Sequence, residues 1–545
     1  MSLLRNKIKY FKPGISSLIA FWVFTLILVD ISGEFPLIDD WAYVKSVFAF
    51  TELNQVIIYD RIAITFFSNL IWGTAFVKLF GFSFLILRIS SVVAAIILLF
   101  TFYKILSFFT SNESIKIIST SFLAFNPLFY LLSLTFMTDV FFLMLSFISI
   151  FFFLSFFKKR NLNYLIMAFL FSIIATLSRQ VGLIIPISFV VIFILNKPLK
   201  NRETLLVLLG LFVNIFSLII YYTLLKKNSL TPSHYTLHTN SLLNDLSNFD
   251  LSVIKRWSFY LYTSIVSLLI LLSPLFFSLI KWNKINKKRF LYSFGISTLI
   301  TCLINFFRKT SFPFNGDIIN DYGMGGYFFS NAIQRVDQLS YQIPVAINII
   351  IITWALSLFI YFISSNFESL LCKVKKSNQI KFLILCMILY YPTFGLVFVF
   401  DRYLLLILIL SIPVLVYFME NHINPTYKTI CILMIGISGM CSVICTSDYF
   451  EYNRVKWKAL NHLNNVLNIK TENIDGGMEF NAWFNYENDL FNSNVKKEWW
   501  CVKNDHYLIT IDKKKRGYKV FKTYPYENWM GIKKRKLFVL KKANI

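Results

Sequence analysis

Ionisable side chains stand at the ends of apolar segments at five places in the chain. The five sequences are PLIDDWAY (36–43) with Asp39 and Asp40, YDRIAI (59–64) with Arg61, FMTDVFF (136–142) with Asp139, TLSRQVG (176–182) with Arg179, and FDRYLLL (400–406) with Arg402. Charged groups at membrane depth are costly, so those that flank apolar runs are candidates for function. A carboxylate can accept a proton, and a guanidinium can bind phosphate through charge-assisted hydrogen bonds. These residue types together predict proton transfer combined with phosphate binding.

Each of these residues, taken singly, also has a structural explanation. An acidic pair in a loop can be solvated or can cap a helix, and Asp139 can cap the helix near Thr138. Arg179 and Arg402 can anchor helix ends at the membrane interface, with Tyr403 adding an aromatic contact there. We favour a functional interpretation because these groups converge on one membrane face under a topology that is derived from other residues.

The composition is that of an integral membrane protein. Of the 545 residues, 57% are hydrophobic, 18% are aromatic and 15% are charged, which is far more apolar than a soluble globular protein of this size. The formal charge of +26 does not indicate nucleic acid, because the Lys and Arg residues cluster in short connections between apolar segments. The seven cysteines form no CxxC pair and no zinc-ligand spacing, so a disulfide framework is not expected.

Thirteen apolar segments are long enough to cross the hydrocarbon core, which takes about 17 to 25 residues. The first follows a basic stretch and precedes small residues, as in a signal peptide, but the many later segments favour an uncleaved helix. We therefore predict an all-α polytopic membrane protein with these helices near residues 14–31, 84–105, 115–132, 137–157, 162–178, 181–196, 203–224, 257–280, 290–307, 343–365, 380–400, 403–419 and 427–446.

The basic connections fix the predicted orientation of the segments. One side carries the loops that are rich in Lys and Arg, which the positive-inside bias makes cytoplasmic: KKR (158–160), NKPLKNR (196–202), KWNKINKKR (281–289) and CKVKKSNQIK (372–381). The other side then receives the loops 32–83, 225–256 and 308–342. An odd number of spans leaves the C-terminal tail on that outer side as well.

We divide the chain into two domains at the end of the last predicted span. Residues 1–446 form the transmembrane domain with its three outer loops, and residues 447–545 form a small extracytoplasmic α/β domain. The tail alternates polar and apolar residues in HYLITI (506–511), as a strand does. The loops 225–256 and 308–342 are expected to cover the site, and the second contains a Gly- and Asn-rich segment that we interpret as a lid.

The order and sidedness of the motifs resemble those of the GT-C membrane glycosyltransferases, in the branch that contains the protein O-mannosyltransferases and the lipid A aminoarabinose transferase. Asp39-Asp40-Trp41-Ala42-Tyr43 is similar to the family's D-[DE]-x-x-Y motif after the first helix. LFGFSFLILRISSV (79–92) is similar to its G-x-S-x-x-x-x-R segment, and FMTDVFF, SRQVG and RYLLL follow in order. SRQVG stands where the family has a lysine-bearing turn, and RYLLL lacks the proline that usually follows.

The resemblance implies a glycosyltransferase that moves a sugar from a polyprenyl-phosphate donor to an acceptor hydroxyl on the outer face, with inversion at the anomeric carbon. Asp39 would be the catalytic base, since phosphate leaves without a protonating acid. We expect neither a cofactor nor a metal, and His234 and His238, although spaced i and i+4, are interpreted as ordinary loop histidines. The substrate-binding residues would be Asp40, Tyr43, Arg61, Asp139, Arg179, Arg402 and Tyr403.

The expected partners are the lipid-linked sugar, a lipid, glycan or protein acceptor, and membrane lipids, without nucleic acid. The expected location is the cell membrane, with the site and the tail facing the periplasm or the exterior. Three alternatives remain from the sequence: a transporter or lipid flippase whose charges line a passage, an O-antigen polymerase or ligase, and a structural membrane protein without catalytic activity. The acidic loop after the first helix and the outer tail favour the transferase over the first two.

Overall fold

A computed structural model describes residues 14–59, 62, 64–196, 202–307, 318–319, 345–396, 399–419, 425–486, 502, 504–528 and 530–543. The first ten helices are α1 Ile15–Val29, α2 Asp40–Glu52, α3 Phe67–Phe80, α4 Phe84–Leu106, α5 Glu113–Ala124, α6 Pro127–Leu132, α7 Thr138–Lys159, α8 Leu162–Thr176, α9 Ile184–Ile194 and α10 Arg202–Lys227. They are followed by α11 Ser233–Ser247, α12 Leu251–Leu279, α13 Lys287–Phe307, α14 Val345–Lys376, α15 Asn378–Tyr390, α16 Thr393–Leu396, α17 Leu404–Phe418, α18 Pro425–Asn461 and α19 Met478–Asn485. The strands are β1 Ile474–Asp475, β2 Tyr507–Thr510, β3 Tyr518–Asn528 and β4 Lys533–Lys542.

Helices occupy each of the thirteen predicted spans. Within the part of the chain that the structure describes, eight helical stretches are long and apolar enough to cross a membrane, and three further apolar helices are shorter. The short ones are α1, α8 and the stretch Gln180–Ile194 that includes α9. The predicted fold class, a mostly helical multi-pass membrane protein with a small C-terminal sheet, is confirmed, whereas helix length does not establish the count of thirteen.

Two predicted spans are interrupted, and proline accounts for both breaks. The segment 115–132 divides into α5 and α6 because Pro127 has no backbone N–H, and Asn126 caps the new helix by accepting from Leu128 N at 3.1 Å. The segment 380–400 ends its main helix at Tyr390, two residues before Pro392.

The loop 32–83, for which the sequence predicts an outer location, contains two helices, α2 and α3, that the hydropathy pattern did not indicate. Its first residues are held by Arg88 of α4, whose guanidinium donates to the carbonyl oxygens of Ile31 at 2.6 Å and Phe35 at 3.0 Å. Gly33 adopts a φ of +131°, a conformation that favours glycine, so the backbone can turn around the guanidinium. This anchor fixes where α2 begins.

The helices α7 and α17 form the interior of the bundle. In each, 78% of the apolar stretch is buried by other parts of the protein. Phe153 of α7 stacks on Phe189 of α9 with ring centroids 4.1 Å apart, and the ring of Phe382 in α15 meets it edge-on at 5.9 Å. Because lipid tails are as apolar as these side chains, close packing rather than the hydrophobic effect holds such helices together.

The C-terminal region is built on the end of α18. This helix of 37 residues is about 55 Å long, so it extends well beyond a hydrocarbon core of about 30 Å. A four-stranded sheet with the order β1-β2-β4-β3 follows, parallel between β1 and β2 and antiparallel elsewhere. Strand β3 contacts α18, and Tyr526 packs edge-on against Tyr452 at 6.1 Å. The division into two domains at residue 446 stays a prediction, since α18 runs through it.

Candidate active site

Four predicted site residues lie at the ends of different helices and meet in space. Asp39 immediately precedes α2, and Asp139 is the second residue of α7. Arg179 lies in the turn after α8, and Arg402 lies in the single 3₁₀ turn that leads into α17. We call these four residues the charged cluster. It forms because α7 and α17 are interior helices, so their first residues project into the protein instead of toward lipid.

The first ion pair of the cluster joins Asp39 and Arg402. Nη2 of Arg402 donates to Oδ2 of Asp39 at 3.0 Å, and Nη1 donates to Sδ of Met137 at 3.5 Å. The side chain of Arg402 is 7% exposed, whereas that of Asp39 is 28% exposed. The pair therefore has a fixed cation and a carboxylate that another molecule can reach.

The second ion pair joins Asp139 and Arg179. Nη1 of Arg179 lies 3.0 Å from Oδ1 of Asp139, and its Nε donates to Oγ1 of Thr138 at 2.8 Å. Asp139 is 3% exposed, and its Oδ2 is buried without a hydrogen-bond partner among the described residues. A buried carboxylate oxygen in that state is an acceptor that a substrate hydroxyl can satisfy.

Two tyrosines join the ion pairs into one site. The guanidinium carbons of Arg179 and Arg402 each lie 5.6 Å from the ring centroid of Tyr403, within the range of a cation–π contact. Burial raises the pKa of Tyr43 on α2, and both arginines and both aspartates of the cluster act electrostatically on its hydroxyl. Tyr43 therefore stays a neutral phenol among four charges.

Asp40 lies beside Asp39 in the chain but faces a different environment. Its Oδ1 accepts from Leu37 N at 2.6 Å and its Oδ2 accepts from Phe136 N at 3.4 Å. Burial raises the pKa of Asp40 to about 7, which the positive charge of Arg88 partly opposes. Through these two hydrogen bonds, Asp40 connects the loop 32–83 to the turn before α7. Met137, which contacts Arg402, lies in that turn, so Asp40 helps to position the charged cluster.

The structural alternatives predict contacts that differ from those observed. Asp39 is the N-cap residue of α2, but its side chain makes no capping hydrogen bond. Asp139 does not cap α7 either, since the N-cap residue is Met137. Arg179 and Arg402 are mostly buried against carboxylates, whereas an interface anchor would extend its charged end into water.

The sequence did not identify several residues that complete this arrangement. Met137 and Thr138 are the uncharged contacts of the two guanidinium groups, and neutral residues carry no signal for such a role. Asp401 was not predicted as a site residue either. Its carboxylate accepts from the backbone N–H groups of Ile318 and Ile319 at 2.9 and 2.6 Å, so it holds these two residues of the loop 308–342 next to Arg402.

Some sequence predictions fall outside what the structure describes. Arg61 is one of them, and so is all of the proposed lid except Ile318 and Ile319. His234 and His238 lie on α11, and their side chains are likewise outside the description. Across the described ranges, no group of three or more His, Cys, Asp or Glu side chains is arranged to hold a metal ion.

Three cavities of the described regions lie away from the charged cluster. One of about 630 Å³ and one of about 570 Å³ lie at the junction between α18 and β3, and one of about 200 Å³ lies between α5, α12 and α18. The assignment of the site therefore depends on the ion pairs and not on cavity volume.

Comparison with known proteins supports the resemblance seen in the sequence. Residues 66–222 match the family model described as dolichyl-phosphate-mannose-protein mannosyltransferase. The likeness to that branch of membrane glycosyltransferases is confirmed over these residues. The matched segment contains Asp139 and Arg179, whereas Asp39 and Arg402 lie outside it.

Two solved structures align with nearly the whole chain. ArnT from Cupriavidus metallidurans in the apo state aligns at 11% identity and a TM-score of 0.39, covering 96% of this chain and 98% of its own. The same protein bound to undecaprenyl phosphate aligns at 12% identity and a TM-score of 0.40, covering 97% and 99%. No curated protein sequence matches the chain.

Proposed function

We propose that the chain is an integral membrane glycosyltransferase that moves a sugar from a polyprenyl-phosphate donor to an acceptor hydroxyl on the outer face of the membrane. The observation that carries this proposal is the Asp39–Arg402 pair, in which an accessible carboxylate is held 3.0 Å from a buried guanidinium. The family match over residues 66–222 supports the class of enzyme, and the name of that family includes a polyprenyl-phosphate sugar, dolichyl-phosphate mannose.

Asp39 acts as the general base in this proposal. Its carboxylate accepts the proton of the acceptor hydroxyl while the hydroxyl oxygen forms a bond to the anomeric carbon. The bond between that carbon and the phosphate oxygen breaks, and its electron pair leaves with the polyprenyl phosphate. Attack on the face opposite the phosphate inverts the anomeric configuration. Phosphate is a stable leaving group, so one carboxylate is sufficient where ordinary glycoside hydrolysis requires two.

The two arginines stabilise the departing phosphate. Negative charge grows on the phosphate oxygens as the bond breaks, and preorganised guanidinium groups in a partly dehydrated site lower the energy of that state. Asp139, Met137 and Tyr403 hold Arg179 and Arg402 in place beforehand, so little reorganisation is needed. Arg402 serves both reaction partners, since it also orients the base.

The remaining residues position the reactants. Oδ2 of Asp139, which has no hydrogen-bond partner among the residues that the structure describes, is suited to accept from a sugar hydroxyl, and the neutral hydroxyl of Tyr43 can donate to the same sugar or to the phosphate. Asp40 supports the site through its hydrogen bonds with the backbone, and its direct contact with the substrate stays a prediction. Arg61 is kept as a candidate phosphate ligand on the basis of the sequence alone.

The test is transfer activity of the full-length protein with Asp39→Asn, in membranes supplied with polyprenyl-phosphate mannose as the first donor. We expect the rate to fall by about 10²–10⁴-fold, the usual contribution of a general base, with unchanged thermal unfolding. The matched control is Glu203→Gln, which removes another arginine-paired carboxylate, 3.9 Å from Arg160 of a predicted cytoplasmic loop, and should leave the rate unchanged.

Two results would overturn the proposal. If Asp39→Asn keeps more than half of the transfer activity, Asp39 is not the base. If cysteine labelling locates residues 33–60 on the cytoplasmic side, the site faces the wrong compartment for an outer acceptor. Solute uptake that depends on Asp139 and Arg179, without sugar transfer, would favour the transporter instead.

A further inference from the structure

The cavity of about 630 Å³ lies where the start of the loop 32–83, the end of α18 and strand β3 meet. It is separate from the charged cluster and shares no residue with it. Its walls include Trp457, Lys458 and His462 from the end of α18 and just beyond it, and Lys522 and Tyr524 from β3. None of these residues has a role in the proposed transfer step.

Two polar atoms of the walls lack hydrogen-bond partners within the described structure. Nε1 of Trp457 and Oη of Tyr524 are both buried and both without a partner. The side chain of Trp457 is fixed by the rings of Phe480 and Phe484 on α19, and the residue is only 6% exposed. Burying such groups without a hydrogen bond is costly, so these atoms indicate a ligand that supplies one.

The cavity also carries an excess of positive charge. The Arg454 guanidinium is neutralised by Glu451 and Asp30, at 3.0 and 3.3 Å. In contrast, neither Lys458 nor Lys522 has a carboxylate within 4.0 Å among the residues described. Lys522 Nζ lies 3.0 Å from Nε2 of His462, so two nitrogen groups converge at one point.

The one acidic side chain of the wall, that of Glu34, offsets only one of the two lysine charges and is held by its own hydrogen bonds. Glu34 accepts from Ser83 Oγ at 2.5 Å and from Phe84 N at 2.9 Å. The neighbouring cavity of about 570 Å³ differs in this respect, because Glu451 and Glu527 balance Arg454 and Lys534 in its walls. The larger cavity is therefore suited to an anion, and its neighbour is not.

The position along α18 favours a ligand in the aqueous phase over a membrane head group. The apolar part of α18 ends near Thr446, and Lys458 lies twelve residues further on, which is about 18 Å along the helix. A head-group layer extends only about 5 to 8 Å beyond the hydrocarbon core. Gly33 and Phe35 of the same wall follow closely on the end of α1, so the cavity begins near the membrane, and a ligand that reaches Lys458 extends into the aqueous phase.

We propose that this cavity binds an anionic sugar unit of the acceptor glycan, one that bears a phosphate or a carboxylate. Aromatic side chains provide flat apolar surfaces with polar edges, which suit sugar rings, while the lysines pair with the anion. The site holds the glycan at a distance from the charged cluster, so it selects the acceptor without taking part in bond formation. The inference rests on the proposed transferase function.

The test is isothermal titration of the full-length protein in detergent with glucose 1-phosphate and with glucuronic acid. Glucose and inorganic phosphate serve as the two matched comparisons. We expect one or both anionic sugars to bind at least about tenfold more tightly than either comparison. Their binding should become weaker as salt is added. Equal binding of inorganic phosphate would show a simple anion site, and equal binding of glucose would show that the lysines do not contribute; either result overturns the proposal.

The variants Lys522→Met and Tyr524→Phe locate the binding. Each removes one polar group while keeping most of the packing. Each should weaken the binding of the anionic sugar by about three- to tenfold. Lys519→Met, an exposed change on the same strand outside the cavity, should have no effect. Unchanged binding in both cavity variants overturns the proposal, and Tyr524→Phe covers the case in which Lys522→Met does not fold.

Failure of this proposal can be told apart from failure of the proposed function. Asp39→Asn should bind the anionic sugar as the parent protein does, since the two sites share no residue. Sugar binding by a parent protein that shows no transfer activity would leave the cavity assignment intact and remove the transferase assignment. Transfer activity in a protein that does not bind the anionic sugars would support the transferase assignment and remove the cavity assignment.

Discussion

The charged cluster and the junction under the C-terminal sheet both contain buried ion pairs, but they use them differently. At the junction, Lys456 Nζ lies 2.8 Å from Glu479 Oε2, and the two side chains are only 5% and 7% exposed. In the cluster, Asp39 retains access to solvent while its partner Arg402 is buried. An ion pair alone therefore does not mark a catalytic site; what distinguishes Asp39 is that a second molecule can reach it.

The junction pair should be structural, and breaking it should have the largest effect on stability. Lys456→Met leaves the Glu479 carboxylate buried without its cation, which should lower the free energy of unfolding by about 3–5 kcal/mol. Transfer activity per folded molecule should change little. The measurement is the unfolding midpoint in detergent, together with activity normalised to folded protein.

A surface pair provides the control for that experiment. Lys542 pairs with Asp505 at 3.0 Å with both side chains partly exposed, so Lys542→Met should cost no more than about 1 kcal/mol. The double variant Lys456→Met/Glu479→Gln should recover part of the loss, because no unpaired charge remains. If Lys456→Met abolishes transfer in fully folded protein, the junction is part of the active site and the comparison fails.

Asp40 should make the stability of the protein depend on pH. Burial raises the pKa of Asp40 from 3.8 to about 7 in the folded protein. The folded state therefore binds more protons than the unfolded state between these values, and stability falls as the pH rises from about 4 through 7. The loss amounts to about 4 kcal/mol at most.

Asp40→Asn should remove most of this pH dependence, because an amide does not ionise. The check is the thermal unfolding midpoint at a series of pH values for both proteins. Asp512→Asn, which alters a carboxylate in an exposed turn, should leave the pH profile unchanged. An identical profile in Asp40→Asn and the parent protein would show that Asp40 is already ionised in the folded state.

Arg402→Lys should give the smallest of these effects, and it tests geometry rather than charge. Lysine keeps the positive charge but cannot contact Asp39, Met137 and the Tyr403 ring at once as the planar guanidinium does. The transfer rate should fall by about ten- to thirtyfold, or about 1.4–2 kcal/mol. Steady-state kinetics should place most of the change in kcat.

Arg160→Lys is the matched control for the arginine change. Arg160 also lies against aromatic rings, those of Phe156 and Phe193, and faces Glu203 at 3.9 Å, but it belongs to a predicted cytoplasmic loop. Its replacement should leave transfer unchanged. Equal losses in the two variants would indicate a general requirement for arginine in packing and not a phosphate site.

Much of the bundle could be predicted from the sequence because membrane helices leave a strong local signal. Long apolar runs predicted α4, α7 and α10 to within a few residues of their observed ends. The breaks at Pro127 and Pro392 were missed, although the prolines are visible, because hydropathy averages over both halves of a broken helix. The helices α2 and α3 were missed because neither is long enough to stand out as a span.

The charged cluster was predictable as a set of residues but not as an arrangement. The motifs around Asp39, Asp139, Arg179 and Arg402 were recognisable from residue type, spacing and sidedness. Which carboxylate pairs with which guanidinium depends on how α2, α7 and α17 pack, and no spacing along the chain encodes that. The roles of Met137 and Thr138 were invisible for the same reason.

The sequence by itself determined that this is a multi-pass membrane protein, and it predicted acid–base and phosphate-binding residues on one face, because hydropathy and charge are properties of local segments. The tertiary structure alone decided that the carboxylates of Asp39 and Asp40 have different surroundings. Adjacent residues at a helix start point in different directions, so one carboxylate reaches Arg402 and solvent while the other is buried against backbone N–H groups. That difference in surroundings is what makes Asp39 the candidate base.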